Sequence, residues 1–223
     1  VIARPFVGSP GAFRRTSNRR DLALTPFAPT LLDVLSAGGL PVVAVGKIED
    51  LFAGRGITDA VHTASDAEGM NAVATAMETT DRGLIFANLV DFDTMFGHRN
   101  DPAGYAANLE RFDSRLAEFL PRLRPRDMLI LTADHGNDPT TPSTDHSREY
   151  VPLFVVGESI GRGVDLGTRS TFADVGQTIA ELFDVGPLPN GTSFLQQLLS
   201  GRGGVDDFSG SEYSQQKGSR RDE

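Results

Sequence analysis

MLILTADHGNDPTTPSTDHSRE, residues 128–149, joins a short apolar run to a cluster of acids and imidazoles. The run 128–131 has the length and apolarity of a buried strand, and residues 128–132 are expected to form the central strand of a sheet. Asp134 and His135 follow it directly, at the carboxyl end where open α/β sheets place their sites. Gly136, Pro139 and Pro142 forbid a regular element, so residues 137–147 are expected to be a loop. That loop carries Asp138, Asp145 and His146 back toward the strand end. Carboxylates and imidazoles together suit divalent ions, so the stretch reads as half of a metal site. An Asp-His pair alone is more often a capped turn or a solvated loop than a metal site.

A second cluster tips that balance. GLIFANLV, residues 83–90, is another apolar run, and DFDTMFGH, residues 91–98, follows it. The chain has four histidines, and three of them (His98, His135, His146) fall in these two loops. Solvated surface histidines have no reason to gather there. The fourth, His62, reads as structural or solvated.

At 223 residues the chain has room for one large domain or a domain and a piece of another. A net charge of −9 argues against nucleic acid or an anionic membrane as the main partner. No apolar run approaches the length of a transmembrane helix, and no signal peptide is visible. The absence of cysteine excludes disulfides and thiol chemistry and fits a cytoplasmic setting. The chain begins at Val1 rather than Met, which reads as a fragment of a longer protein.

Strands are expected at residues 1–7, 41–45, 84–90, 128–132 and 150–156, and helices at 28–37, 48–52, 66–79, 102–123 and 172–183, with a short element at 194–199. Asp66 is expected as an N-cap. Residues 8–18 look like loop. The first 20 residues hold Arg4, Arg14, Arg15, Arg19 and Arg20 and no acid, a patch suited to phosphate or simply a solvated basic turn. Lys47, at the end of strand 41–45, is placed either to meet an anionic substrate or to stand as an exposed loop lysine. Residues 201–223 carry only Val205, Phe208 and Tyr213 as sizeable apolar side chains and are expected to be disordered. Strands alternating with helices give an α/β class with a largely parallel sheet.

TADHGNDPTTPSTDHSREYVPL (132–153) resembles the phosphopentomutases, VDFDTMFGHRNDP (90–102) is similar to that family's other metal loop, and PNGTSF (189–194) also looks like the family. The resemblance implies a doubly wound, largely parallel α/β sheet of the alkaline-phosphatase-like core. Residues 1–22 would be the end of an inserted cap domain, and 23–200 the metal-binding core without its N-terminal part. It implies two Mn2+ ions, with Asp93, His98 and His146 around one and Asp134 and His135 on the other. Lys47, Arg15 and Ile2 match positions where the family contacts its pentose phosphate substrate. The implied reaction interconverts ribose 1-phosphate and ribose 5-phosphate, and the 2-deoxyribose pair, through a phosphothreonine enzyme and a sugar bisphosphate.

No stretch matches the family's phosphorylated threonine or its N-terminal aspartate ligand, so this chain by itself is expected to lack mutase activity. Two other readings stay open: a different metal-dependent phosphomutase or phosphatase of the same superfamily, and a non-catalytic metal-binding domain.

Overall fold

Proline between two short apolar stretches shapes the N-terminal part, because Pro cannot donate to a strand ladder. The computed structural model describes residues 2–3, 5–15, 20–21 and 23–201. Around Pro5 the expected single strand is two, Ile2–Ala3 (β1) and Phe6–Val7 (β2). Phe6–Val7 pairs antiparallel with Arg14–Arg15 (β3), inside the expected loop, and β1 pairs antiparallel with Arg20–Asp21 (β4). The expected disordered tail, from residue 202 on, and the side chains of Ile2 and Arg15 lie outside the described residues.

Leu31–Ala37 (α1) begins three residues later than periodicity suggests. Asp33 reaches back to accept from the Thr30 N–H at 2.6 Å, which sets the first turn there. Arg55 holds Asp33 from the other side, Nε to Oδ1 at 2.7 Å. Val42–Val45 (β5) is buried at every residue, as a strand covered on both faces must be. Ile48–Leu51 (α2) follows, then Asp59–Val61 (β6), a strand that apolarity does not reveal. Asp66–Thr79 (α3) matches its expected bounds, but Ser65 is the cap and accepts from Glu68 N. Leu84–Ala87 (β7) completes a parallel sheet in the order β6-β5-β7.

The segment after β7 is not a loop. Phe92–Phe96 is a π-helix and Gly97–Arg99 a 3-10 helix. Pro102–Phe119 (α4) then starts on the Asp101 cap and gives way to a 3-10 turn, Leu120–Arg122, at Pro121. Leu129–Leu131 (β8) pairs antiparallel with Phe154–Val156 (β9). The expectation of a central strand here is corrected: among the described residues β8 pairs with no other strand, its residues are half-buried, and β5 is the central strand. Ala173–Phe183 (α5) and Leu195–Ser200 (α6) end the fold.

Apolar packing gathers in three places. Leu32, Leu35, Leu40 and Val42 join α1 to β5, with Ile179 and Phe183 of α5 against them. Met70 and Ala74 of α3 meet Phe119 of α4. Ile160, Phe194 and Leu198 form the third cluster. No helix among the described residues is long and apolar enough to cross a membrane.

Candidate metal centre

Parallel pairing puts the carboxyl ends of β5 and β7 side by side, with Val45 opposite Ala87. Gly46 can turn there because its φ is +79°; a side chain would also overlap the Asn88 carbonyl oxygen. The chain leaving β7 enters the π-helix at Asp91, where the Gly97 N–H bonds back to the Phe92 and Asp93 carbonyls. Such wide turns recur at functional sites. Phe92 packs its ring on Tyr105 and Phe112 of α4, and Asp93 stands next to it.

Three imidazoles converge on Asp93. Its Oδ1 lies 3.2 Å from His146 Nε2 and 3.3 Å from His98 Nε2, yet this buried oxygen has no hydrogen-bond partner. His98 Nδ1 donates to the Thr144 carbonyl at 2.5 Å, and His135 Nδ1 to the Gly136 carbonyl at 3.1 Å. A carbonyl only accepts, so in the neutral rings these bonds leave the Nε2 lone pairs bare. The His135 and His146 rings stack with centroids 3.6 Å apart, and His98 lies 5.0 Å from His146. One ligand atom each from Asp93, His135 and His146 fall within 4.8 Å of one another. Converging acceptors of this kind repel unless they share a cation. Imidazoles whose second nitrogen is tied to a carbonyl are the usual form of metal-bound histidine, so the donor set fits a divalent ion.

A profile described as the metalloenzyme superfamily matches residues 18–187. The chain belongs to the metalloenzyme superfamily. The phosphopentomutase of Caldanaerobacter subterraneus subsp. tengcongensis is 61% identical over 198 residues, which cover 89% of this chain and 50% of that protein. Those of Anaeromyxobacter dehalogenans strain 2CP-C and Clostridioides difficile strain 630 are 58% and 53% identical, covering 89% of this chain and 50% and 51% of their own lengths. The chain thus spans about half the length of the curated relatives it matches. The solved structure of Leishmania mexicana phosphoglycerate mutase at low cobalt concentration aligns with a TM-score of 0.56 at 21% identity, covering 73% of this chain and 38% of that one. That likeness concerns the fold and agrees with the alkaline-phosphatase-like core expected from the sequence.

Around this cluster the other expected residues sort by position. Asp134 is exposed, with Oδ1 3.7 Å from His135 Nε2. Together with His135 it lines a cavity of about 1310 Å³, whose lining also includes Tyr150, Phe154 and Phe172. Asp93, His98 and His146 are not in that lining. Asp138 is turned into its own loop, where its carboxylate accepts from Thr140 N and Oγ1 at 2.9 and 2.6 Å; these bonds hold it below the usual carboxylate range. Asp138 and Asp145 stay out of the cluster. Lys47 is half-buried at the start of α2 and makes no ion pair among the described residues. His62 pairs with Glu49 at 2.9 Å on the surface, outside the cluster.

Several supporting residues carry no signal in the sequence. Burial, and then the negative charge of Asp93, push the Tyr105 hydroxyl above its ordinary value. Gly97 packs against the Asn137 amide so closely that a Cβ would lie 2.6 Å from its Cγ and 2.9 Å from its Oδ1, and nearer still to Nδ2. Asp66 is buried and shares hydrogen bonds with Asp91 and Asn108. Burial drives its carboxyl upward, against the lowering effect of those bonds. Its role as an expected helix cap hid this: proximity in sequence favoured the cap, but the partners lie 25 and 42 residues away.

Proposed function

We propose that this chain contributes the metal centre of a phosphopentomutase, which interconverts ribose 1-phosphate with ribose 5-phosphate and the corresponding 2-deoxyribose phosphates. One observation carries the reading. The Asp93 carboxylate and the imidazoles of His98, His135 and His146 come together from two segments, in a chain 61% identical over 198 residues to a phosphopentomutase.

Two Mn2+ ions are the proposed cofactors, with Asp93, His98 and His146 assigned to one and Asp134 and His135 to the other. When bound, such a pair stabilises negative charge on a transferring phosphoryl group. The chain's own residues do the rest. Hydrogen bonds to the Thr144 and Gly136 carbonyls orient the His98 and His135 rings, so these two donors would be pre-oriented for an ion. Lys47, a half-buried cation at the carboxyl end of the same sheet, is assigned to the substrate phosphate. Arg15 and Ile2 are assigned to substrate contact from residues 1–22, read as the end of a cap. The antiparallel pairs β1-β4 and β2-β3 support that division, since they share no strand with the parallel sheet. A cytoplasmic setting fits the cysteine-free composition.

The test is a coupled assay of ribose 1-phosphate and ribose 5-phosphate interconversion by the full-length protein with Mn2+, beside its Asp93→Ala variant. Isomerisation lost in the variant supports the reading. Release of inorganic phosphate from many monoesters without isomerisation would replace it with a phosphatase.

A further inference from the structure

Two acidic side chains, buried Asp66 and half-buried Asp91, meet where the segment bearing Asp93 and His98 begins. Asp66, the first residue of α3, is 9% exposed. Its Oδ1 accepts from the Asp91 N–H at 2.8 Å, and the Asp91 Oδ2 accepts from the Asp66 N–H at 2.9 Å. The second Asp66 oxygen accepts from Asn108 Nδ2, also at 2.8 Å. Neighbouring carboxylates repel, the more so where one of them is buried, so packing alone does not favour this pair. Each carboxylate is instead answered by the other residue's backbone N–H.

The geometry points to Asp66 as a positioning residue for Asp93 and His98, a staple across both ends of the segment that carries them. Asp91 is the residue from which the π-helix starts, and Asp93 is two positions on. Asn108 lies on α4, which begins as soon as the 3-10 helix bearing His98 has ended. One carboxylate therefore grips the chain before Asp93 and again after His98. The grip extends further: Arg111 Nη2 donates to Asn108 Oδ1 at 2.9 Å, and its guanidinium lies over the Phe96 ring inside the same segment. Residues 91–101 thus hang between two points tied to Asp66. This inference rests on the metal-centre reading above and concerns what holds the ligands in place.

The decisive variant is Asp66→Asn in the full chain. The shape is kept and Asp91 N–H retains an acceptor, but the new amide opposes the Asn108 amide, donor against donor. The expected result is a fall in Mn2+ affinity of ~10–100-fold, the usual effect of losing a group that orients ligands, and faster amide exchange over residues 92–98 in the metal-free protein. Adding Asn108→Asp reverses donor and acceptor, keeps an acceptor for Arg111, and should restore both readouts. Asn108→Ala, which removes the donor to Asp66 Oδ2 and keeps the Asp66–Asp91 bonds, should move both in the same direction and serves if Asp66→Asn does not fold. Wild-type Mn2+ affinity and wild-type exchange over 92–98 in a folded Asp66→Asn chain overturn the proposal, even if its thermal midpoint falls. Absence of Mn2+ binding by the wild-type chain overturns the metal-centre reading instead, and the exchange of 92–98 then decides by itself whether Asp66 positions the segment.

Discussion

Gly97→Ala is the sharpest probe of how the two ligand-bearing segments are registered. Gly97 precedes His98, and Asn137 follows the Asp134-His135-Gly136 turn, so their contact is where the segments meet. The Gly97 backbone is ordinary αR, with φ −61°, so the added methyl brings no conformational strain. It brings overlap: Cβ would stand 2.6 Å from the Asn137 Cγ, which requires the amide to retreat by on the order of 1 Å to reach normal contact. Overpacking of this kind costs about 1–3 kcal/mol. Asn137 meets the methyl with the end of its side chain and can partly yield, which favours the lower end of that range. A loss of ~1 kcal/mol lowers the melting midpoint of a chain this size by roughly 2–4 °C. Misplacing a ligand loop by such a distance should weaken Mn2+ binding by ~10–100-fold.

The assay pairs thermal unfolding of the metal-free chain with Mn2+ titration, on Gly97→Ala, Asn137→Ala and the double variant. Asn137→Ala removes the atoms in the way, together with a buried Nδ2 that has no hydrogen-bond partner. The double variant should therefore recover most of both losses, a coupling of about 0.5–3 kcal/mol between the sites. Wild-type stability and affinity in Gly97→Ala would refute the reasoning. So would strict additivity in the double variant, because the two residues would then not be in the contact described.

His146→Ala removes a ring stacked on His135 and one of the two nitrogens facing Asp93 Oδ1; it should abolish the Mn2+ site assigned to Asp93, His98 and His146, read by titration of free Mn2+ with paramagnetic resonance. Phe194→Ala empties a fully buried position under α5 and α6 and should cost about 3–5 kcal/mol in urea unfolding. The Thr192 N–H and then the Arg169 guanidinium hold Asp174 below its ordinary value of 3.8, against the effect of burial. A carboxyl with a lowered folded value stabilises above 3.8 and loses that contribution as pH falls through the folded value. The wild-type unfolding midpoint should therefore drop more steeply below pH 3.8 than that of Asp174→Asn; parallel curves would contradict this.

What the sequence made legible was local. β5 announces itself because all its residues are apolar and a strand covered on both faces needs nothing else. The bounds of α3 follow from periodicity and a polar start. By contrast, β6 reads Asp-Ala-Val with its first and last residues exposed, and no apolar run marks such an edge. β8 illustrates the opposite failure. Its Leu-Ile-Leu run says that it is apolar, but rank within a sheet is set by pairing with distant segments, and here the only described partner is β9. The four strands before residue 22 are two residues long each, too short for any period to show.

The same division runs through the metal centre. The loop that returns His146 closes on itself: Ser147 N donates to Gly136 O at 3.1 Å, and a side chain at Gly136 would meet the Ser147 carbonyl at 2.5 Å. Only Gly permits this closure, and closing a loop this short carries a modest entropic cost. A Gly after Asp-His, followed by prolines and a second His, is enough to read it from the sequence. The segment with Asp93 and His98 is held otherwise, by Asp66 from another helix and Asn137 from another loop, so its ligands are legible as residue types while their placement is not. Because one group of candidate ligands is braced locally and the other at a distance, substitutions far from the candidate metal centre are expected to act mainly through the Asp93 segment, where one carboxylate oxygen faces two imidazoles at once.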